Sequence, residues 1–408
     1  MSRPGSRRPH HLGADSADTP FDVDALLADP DLRIIVCCGS GGVGKTTTAA
    51  AMAVRAAESG RRVAVLTIDP ARRLAQSLGL ERLDNTPRAV EGLDLTAGGS
   101  LDALMLDMKR TFDEVVAAHS TPEKAEQIFA NPFYEALSSS FAGTQEYMAM
   151  EKLGQLHALT ENGRPRWDLV VVDTPPSRSA LDFLDAPSRL GSFLDGRFIR
   201  VLLAPARAGG RAYTKMLGVG VTMASGVLSK ILGASTLEDV RSLVAALDTM
   251  FGGFRQRADE TFSLLQRSET AFVVVASPEP DALREAGYFV DRLVADAMPL
   301  AGVVINRVRR QRLADVGEDA AIDAAARLRA RADRQDADSA DVGVLRRTAE
   351  MLEVHAQVAA QARRHRSRTR EFAARHSGVA VSHVPVSASD IHDLDGLREI
   401  GEALASHD

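Results

Sequence analysis

The chain has 408 residues, 45% of them hydrophobic and 25% charged, close to the average soluble globular protein and enough for one large elaborated domain or two. A formal net charge of −6 argues against general electrostatic attraction to nucleic acid or to an anionic membrane. The two cysteines, Cys37 and Cys38, are adjacent; in a strand they point to opposite faces, which argues against a disulfide between them. No CxxC spacing exists, and thiol-redox, zinc-ribbon and iron–sulfur chemistry are excluded with it.

In chain order, residues 1–20 are polar, carry no apolar leader core and read as a disordered arm. A short helix near Val23–Leu27 leads to an apolar strand, Arg33–Cys38, that ends in a Gly-rich turn. Such a run reads as a buried parallel strand. An Ala-rich helix over Thr46–Ser59 stops at Gly60, and a second strand, Val63–Ile68, ends at Asp69-Pro70. A third strand is expected at Ala103–Asp107. Residues 109–160 read as helices broken near Ser120-Thr121-Pro122 and Asn131-Pro132, and Leu169–Val172 is a strand ending at Asp173. Residues 178–267 read as helical or irregular. Two further strands, Phe272–Ala276 and Gly302–Ile305, flank a helix near Asp281–Ala295, and a last strand (Val379–Val384) and helix (Leu394–Ala405) close the chain.

Strands alternating with helices specify an α/β fold: a mostly parallel central sheet flanked by helices, with a helical subdomain inserted. Residues 21–408 are expected to form this one domain, its helical insertions falling at about 109–160, 178–267 and 307–376. The segment Arg307–Arg375 holds 16 Arg against 11 acidic residues. Its Ala, Arg and Gln content favours long helices with salt-bridged, solvated faces. Only the cluster Arg363, Arg364, Arg366, Arg368 and Arg370 invites a test for an anionic partner. The longest uncharged run, Met216–Ser229, is short of the roughly twenty residues of a membrane span, so the chain reads as cytoplasmic.

The chemistry concentrates at Gly39-Ser40-Gly41-Gly42-Val43-Gly44-Lys45-Thr46, which matches GxxxxGK[ST] between an expected strand and an expected helix, the context of a phosphate-binding loop. Its glycines let backbone N–H groups converge on a β-phosphate at the positive end of the helix. Lys45 would reach the β- and γ-phosphates of ATP, the Thr46 hydroxyl would ligate Mg²⁺, and Thr47 would extend the cradle. Asp69 stands at a strand end, where parallel sheets gather ligands. A carboxylate there either caps the helix starting at Ala71 or orients and deprotonates an attacking water, and the position favours the second reading. Asp173 follows an apolar strand, the usual place for an acid in the Mg²⁺ shell. Thr174-Pro175-Pro176 makes a stiff loop fit to sense a γ-phosphate.

These three motifs together resemble the ArsA-type ATPases. That family includes an arsenite-pump ATPase and a eukaryotic ATPase that targets tail-anchored membrane proteins, with MinD and nitrogenase iron protein as more distant relatives. The resemblance runs from about residue 33 to the C-terminus and is nearest to actinobacterial ArsA-like chains. It implies a dimeric, Mg²⁺-dependent ATPase whose nucleotide cycle drives the handling of a client or partner. It also implies that Asp69 activates water, that Asp173 stands near Mg²⁺, that Asn306 reads adenine and that Val384-Pro385-Val386 closes over the base. Asn306 on its own could equally cap the turn into Arg307.

Three departures qualify the resemblance. Ser40 stands where the family carries a lysine that crosses to the partner's ATP, and a trans cation of that kind is worth roughly 10³–10⁵ in turnover. Either an arginine such as Arg72 or Arg178 substitutes, or a lysine-bearing paralogue completes a heterodimer. A regulatory, weakly hydrolysing subunit is the alternative. The zinc-binding CxxC is missing, and no thiol site for arsenite exists outside the first strand. The low-charge stretch Arg211–Thr236, with Met216, Met223 and several Gly, is either an adaptable surface for a hydrophobic protein client or an ordinary buried subdomain. The last helix lacks the basic amphipathic face of a membrane-positioning ATPase, so membrane contact is expected to be transient at most.

Overall fold

Strand β1 (Ile34–Cys38) is buried at every residue and divides the interior in two. Ile34, Val36 and Cys38 face one apolar cluster, while Ile35 and Cys37 face the other, as the two-residue period of a strand demands. The computed structural model describes residues 20–68, 73–131, 134, 144–175, 256–311, 316–334 and 340–406. Expectations for the arm 1–19, for Asp69, Arg72, Pro176 and Arg178, for the stretch 211–236 and for most of 178–267 lie outside those residues.

The remaining strands are β2 (Arg62–Thr67), β3 (Arg88–Ala89), β4 (Ser100–Met105), β5 (Thr160–Glu161), β6 (Arg164–Pro165), β7 (Leu169–Asp173), β8 (Thr270–Ala276), β9 (Leu300–Val308) and β10 (Val381–Pro385). Eight of them form one sheet in the order β10-β9-β8-β1-β7-β2-β4-β3. Every pairing in it is parallel except β3 on β4. The chain builds β2, β4 and β7 to one side of β1, then β8, β9 and β10 to the other. That reversal creates the crevice at the carboxyl ends of the strands where α/β proteins place ligands.

The expected mostly parallel α/β sheet is therefore present. Its borders differ for physical reasons. The third strand lies at Ser100–Met105 rather than at Ala103–Asp107, because Asp107 caps the next helix by accepting from Arg110 N–H. β9 continues past Ile305 to Val308, because β10 supplies a partner there after β8 has ended. The edge strand β3 and the small hairpin β5–β6, two residues to a strand, are too short to carry a hydrophobic period, and the sequence pattern does not show them.

One face of the sheet carries α1 (Val23–Ala28), α2 (Lys45–Glu58), α3 (Arg73–Ser77) and α10 (Leu394–Ala405). Helix α2 buries Ala49, Ala50, Ala51, Met52, Ala53, Val54, Ala56 and Ala57, so its small side chains let the sheet and α10 approach it from two sides. The other face carries α4 (Met108–His119), α5 (Pro122–Phe129), α6 (Thr144–Ala158), a helical segment at 256–265 and α7 (Pro280–Ala295). Helices α8 (Glu318–Ala332) and α9 (Ala340–Arg375) follow β9 as an antiparallel hairpin. It buries Ala321, Ala325, Ala349 and Ala356, with Arg329–Glu353 and Arg363–Glu318 ion pairs on its outside. This is the salt-bridged hairpin expected of the Arg-rich segment. Among the described residues no helix is long and apolar enough to cross a membrane.

The segment 256–265 is tied to α6 by Arg257, whose Nε donates to Glu151 Oε2 at 3.0 Å, with the Glu151 side chain only 5% exposed. Removing the guanidinium would strand a buried carboxylate. Arg257→Ala is expected to lower stability by about 2–3 kcal/mol in chemical denaturation. Adding Glu151→Gln to that variant should restore part of the loss, because the stranded charge is then gone.

Candidate functional site

The loop between β1 and α2 owes its shape to two glycines. Gly39 has φ +149°, and a Cβ there would lie 2.0 Å from the Val275 carbonyl oxygen at the end of β8. Gly44 has φ +100° at the N-cap of α2, and a Cβ there would lie 2.2 Å from Asn306 Nδ2. No other residue type fits either position without displacing its neighbour. Gly41 and Gly42 form the exposed crest, while Ser40 and Val43 are buried. Lys45, the first residue of α2, is 6% exposed, and its Nζ donates to the Ser40 carbonyl at 2.8 Å. Thr47 follows in the same helical turn.

Beneath the loop, Asp173 ends β7 fully buried and in register with Cys37 and Thr67. Its Oδ2 accepts from Thr46 Oγ1 at 2.7 Å and from Thr67 Oγ1 at 3.0 Å. The chain beyond stays pinned to β1, since Thr174 donates to the Cys37 carbonyl from N–H at 3.2 Å and from Oγ1 at 2.8 Å. Oxygen donors held this close are the hard set that Mg²⁺ prefers. Among the described residues no cluster of three or more His, Cys, Asp or Glu could hold a metal ion. A Mg²⁺ ion held by Thr46 and Asp173 would need further oxygen ligands to complete its shell.

The back of the loop is held by β9. Asn306 Nδ2 donates to the Val43 carbonyl at 2.9 Å, and its Oδ1 accepts from Arg307 N–H at 2.8 Å. These two bonds orient the carboxamide and leave one N–H and one lone pair, the complement of the N7 and N6 edge of adenine. Arg307 has φ +60°, a left-handed conformation that costs a non-glycine residue about 1–2 kcal/mol. Its Nη1 donates to the Gly42 carbonyl at 2.9 Å. Pro385 ends β10 at the same edge of the sheet, in register with Val308, and Val386 N–H donates to the Val308 carbonyl at 3.1 Å.

Of the residues singled out by sequence, Ser40, Lys45, Thr46 and Asp173 thus gather with the glycines around one hollow. Asn306 lies against its rear, and Pro385 lies three strands from β1. Asp69 follows Ile68, whose N–H donates to the Asp173 carbonyl at 3.0 Å, and is itself outside the described residues. Thr67 and Arg307 escaped the sequence reading. Thr67 was detectable as the last residue of a strand lying opposite Asp173, whereas nothing in a sequence announces an arginine at positive φ.

The cysteines are core residues. Burial, and secondarily the charge of Asp173, pushes the Cys37 thiol well above its ordinary value. Burial pushes Cys38 up to about 12.

Comparison with known proteins adds to this geometry. A family model described as anion-transporting ATPase (ArsA ATPase) matches residues 32–335, which include the loop, Asp173 and Asn306 but not Pro385. The chain is 25% identical to the "ATPase get3" of Neurospora crassa over 300 residues, 73% of this chain and 79% of that protein. It is 27% identical to "ATPase ARSA2" of Chlamydomonas reinhardtii over 297 residues, 72% of this chain and 73% of that one.

The loop glycines should separate by substitution. A Cβ at Gly42, φ +74°, meets nothing within 4 Å, so Gly42→Ala should cost only the backbone strain, about 1–2 kcal/mol. Gly44→Ala adds the collision with Asn306 and should cost more, about 3 kcal/mol, in parallel denaturant titrations.

Proposed function

The chain belongs to the anion-transporting ATPase (ArsA) family of ATP hydrolases, and from that premise we propose that it is a Mg²⁺-dependent ATPase whose site is the hollow between β1, β7 and β9. The observation that carries this reading is the 2.7 Å contact between Thr46 and the buried Asp173, two residues far apart in sequence that meet under a glycine loop. The loop N–H groups receive the phosphates, and Lys45 exchanges the Ser40 carbonyl for phosphate oxygens. Thr46 and Asp173 hold Mg²⁺, which when bound neutralises charge on the transferring phosphoryl group. Asp69 orients the attacking water and takes its proton. Asn306 reads adenine with its remaining N–H and lone pair, and Val384-Pro385-Val386 covers the base.

In this proposal the nucleotide cycle opens and closes a dimer and hands over a client or partner, the apolar stretch 211–236 being the candidate surface for a hydrophobic protein. Ser40 favours a heterodimer with a lysine-bearing paralogue. It also supports a second reading, a nucleotide-binding regulatory subunit that hydrolyses little. Arsenite transport is not part of the proposal, because the two thiols of the chain are buried and protonated.

Steady-state turnover of Mg-ATP by the purified chain tests the proposal. Asp69→Asn should lower kcat at least ~100-fold, the scale of a general base. Asp173→Asn should raise the Mg²⁺ concentration needed for half-maximal rate. Tight ATP binding with no turnover above the Asp69→Asn background would favour the regulatory reading, and no ATP binding at all would overturn both. Asn306→Ala should reduce the preference for ATP over GTP by about tenfold, the worth of one bidentate base contact, as measured by competitive displacement.

A further inference from the structure

Arg307 is one of three described non-glycine residues at positive φ, with Asn162 and Ala297. Its backbone at φ +60° is one that glycine adopts freely, yet the position carries a long cationic side chain. The residue is exposed to solvent, but its side chain is not left free there. It turns back across the loop to give the Nη1–Gly42 carbonyl bond of 2.9 Å, beside the bond from Asn306 to the Val43 carbonyl.

These two adjacent residues therefore hold two successive loop carbonyls. None of the described peptide bonds is cis, and in a planar trans peptide the C=O and N–H point in opposite directions. Holding the Gly42 carbonyl outward aims the Val43 N–H the other way, into the hollow. Holding the Val43 carbonyl does the same for the Gly44 N–H. Two successive N–H groups aimed into one concavity make an anion nest. A guanidinium on the carbonyl also polarises the peptide it holds, which strengthens the N–H at its other end as a donor to phosphate.

We propose that Arg307 is a positioning residue for the nucleotide phosphates, acting through the Gly42 carbonyl to aim the Val43 N–H. Its backbone N–H in turn bonds Asn306 Oδ1, so the proposed adenine reader and the phosphate nest share one dipeptide at the end of β9. The inference rests on the reading of this loop as the ATP site. It explains the strained backbone, since the left-handed conformation returns the side chain to the loop.

The test measures the affinity of the full chain for Mg-ATP, by displacement of a fluorescent ATP analogue, in the parent and in Arg307→Gly and Arg307→Lys. Glycine suits φ +60°, so Arg307→Gly removes the guanidinium without adding strain, and its melting temperature should not fall. Its Kd for ATP should rise about tenfold or more, the scale of one lost charge-assisted hydrogen bond. Arg307→Lys, which keeps a cation on a long stem, should recover most of that loss. The proposal is overturned if Arg307→Gly stays within twofold of the parent, or if Arg307→Lys is no better than Arg307→Gly. A parent chain that does not bind ATP would overturn the ATP-site reading itself, and this inference with it.

Discussion

One buried carboxylate organises the centre of the molecule. Asp173 sits on β7 with no exposure to solvent and receives the hydroxyls of Thr46 and Thr67 on the same oxygen. An ionised carboxylate in an apolar sheet is expensive unless such donors surround it. Three elements are thereby held in register at one point: the start of α2, the end of β2 and the end of β7. Because β1 runs between β7 and β8, the glycine loop that leaves it has no choice but to arch over this acid. The polar cost at the centre of the sheet is offset by the buried alanines of α2, which, unlike Lys45 and Thr48 in the same helix, need no polar partners.

Close approach is the second constraint. The loop is squeezed between the end of β8, at Gly39, and the side chain of Asn306, at Gly44. The loop, Asp173 and Asn306 are therefore tied together, the loop by its close approach to Asn306 and by the Thr46–Asp173 bond. The α8–α9 hairpin grows from the end of β9, and α9 alone is 36 residues long. The hairpin thus follows the same strand whose residues 306 and 307 bond to the loop.

Much of this was legible beforehand. The loop motif, the apolar strands beside it and the alternation of strands with helices each follow from short-range patterns, and those patterns put Thr46 at the start of a helix and Asp173 at the end of a strand, where the structure has them. The register of β9 was not legible. Its extra residues are strand only because β10 pairs with them, a contact between segments more than seventy residues apart in the sequence. Arg307 was missed for the same reason: its backbone is imposed by neighbours rather than by its own propensity. The two-residue strands β3, β5 and β6 lie below the length at which a hydrophobic period can be counted. The adjacent cysteines, in contrast, were readable from alternation alone, and each does face its own side of the sheet.

Those cysteines have a consequence for how the molecule meets oxidants. Attack by peroxide or by a disulfide begins at a thiolate, and both thiols here are buried, with their proton affinity raised. Burial thus keeps the thiolate fraction at neutral pH well below the few per cent of an ordinary exposed cysteine. Sulfenylation, glutathionylation and mixed-disulfide formation therefore have almost no entry point on this chain. Direct oxidation of this chain would fall on groups other than its thiols, such as its methionines.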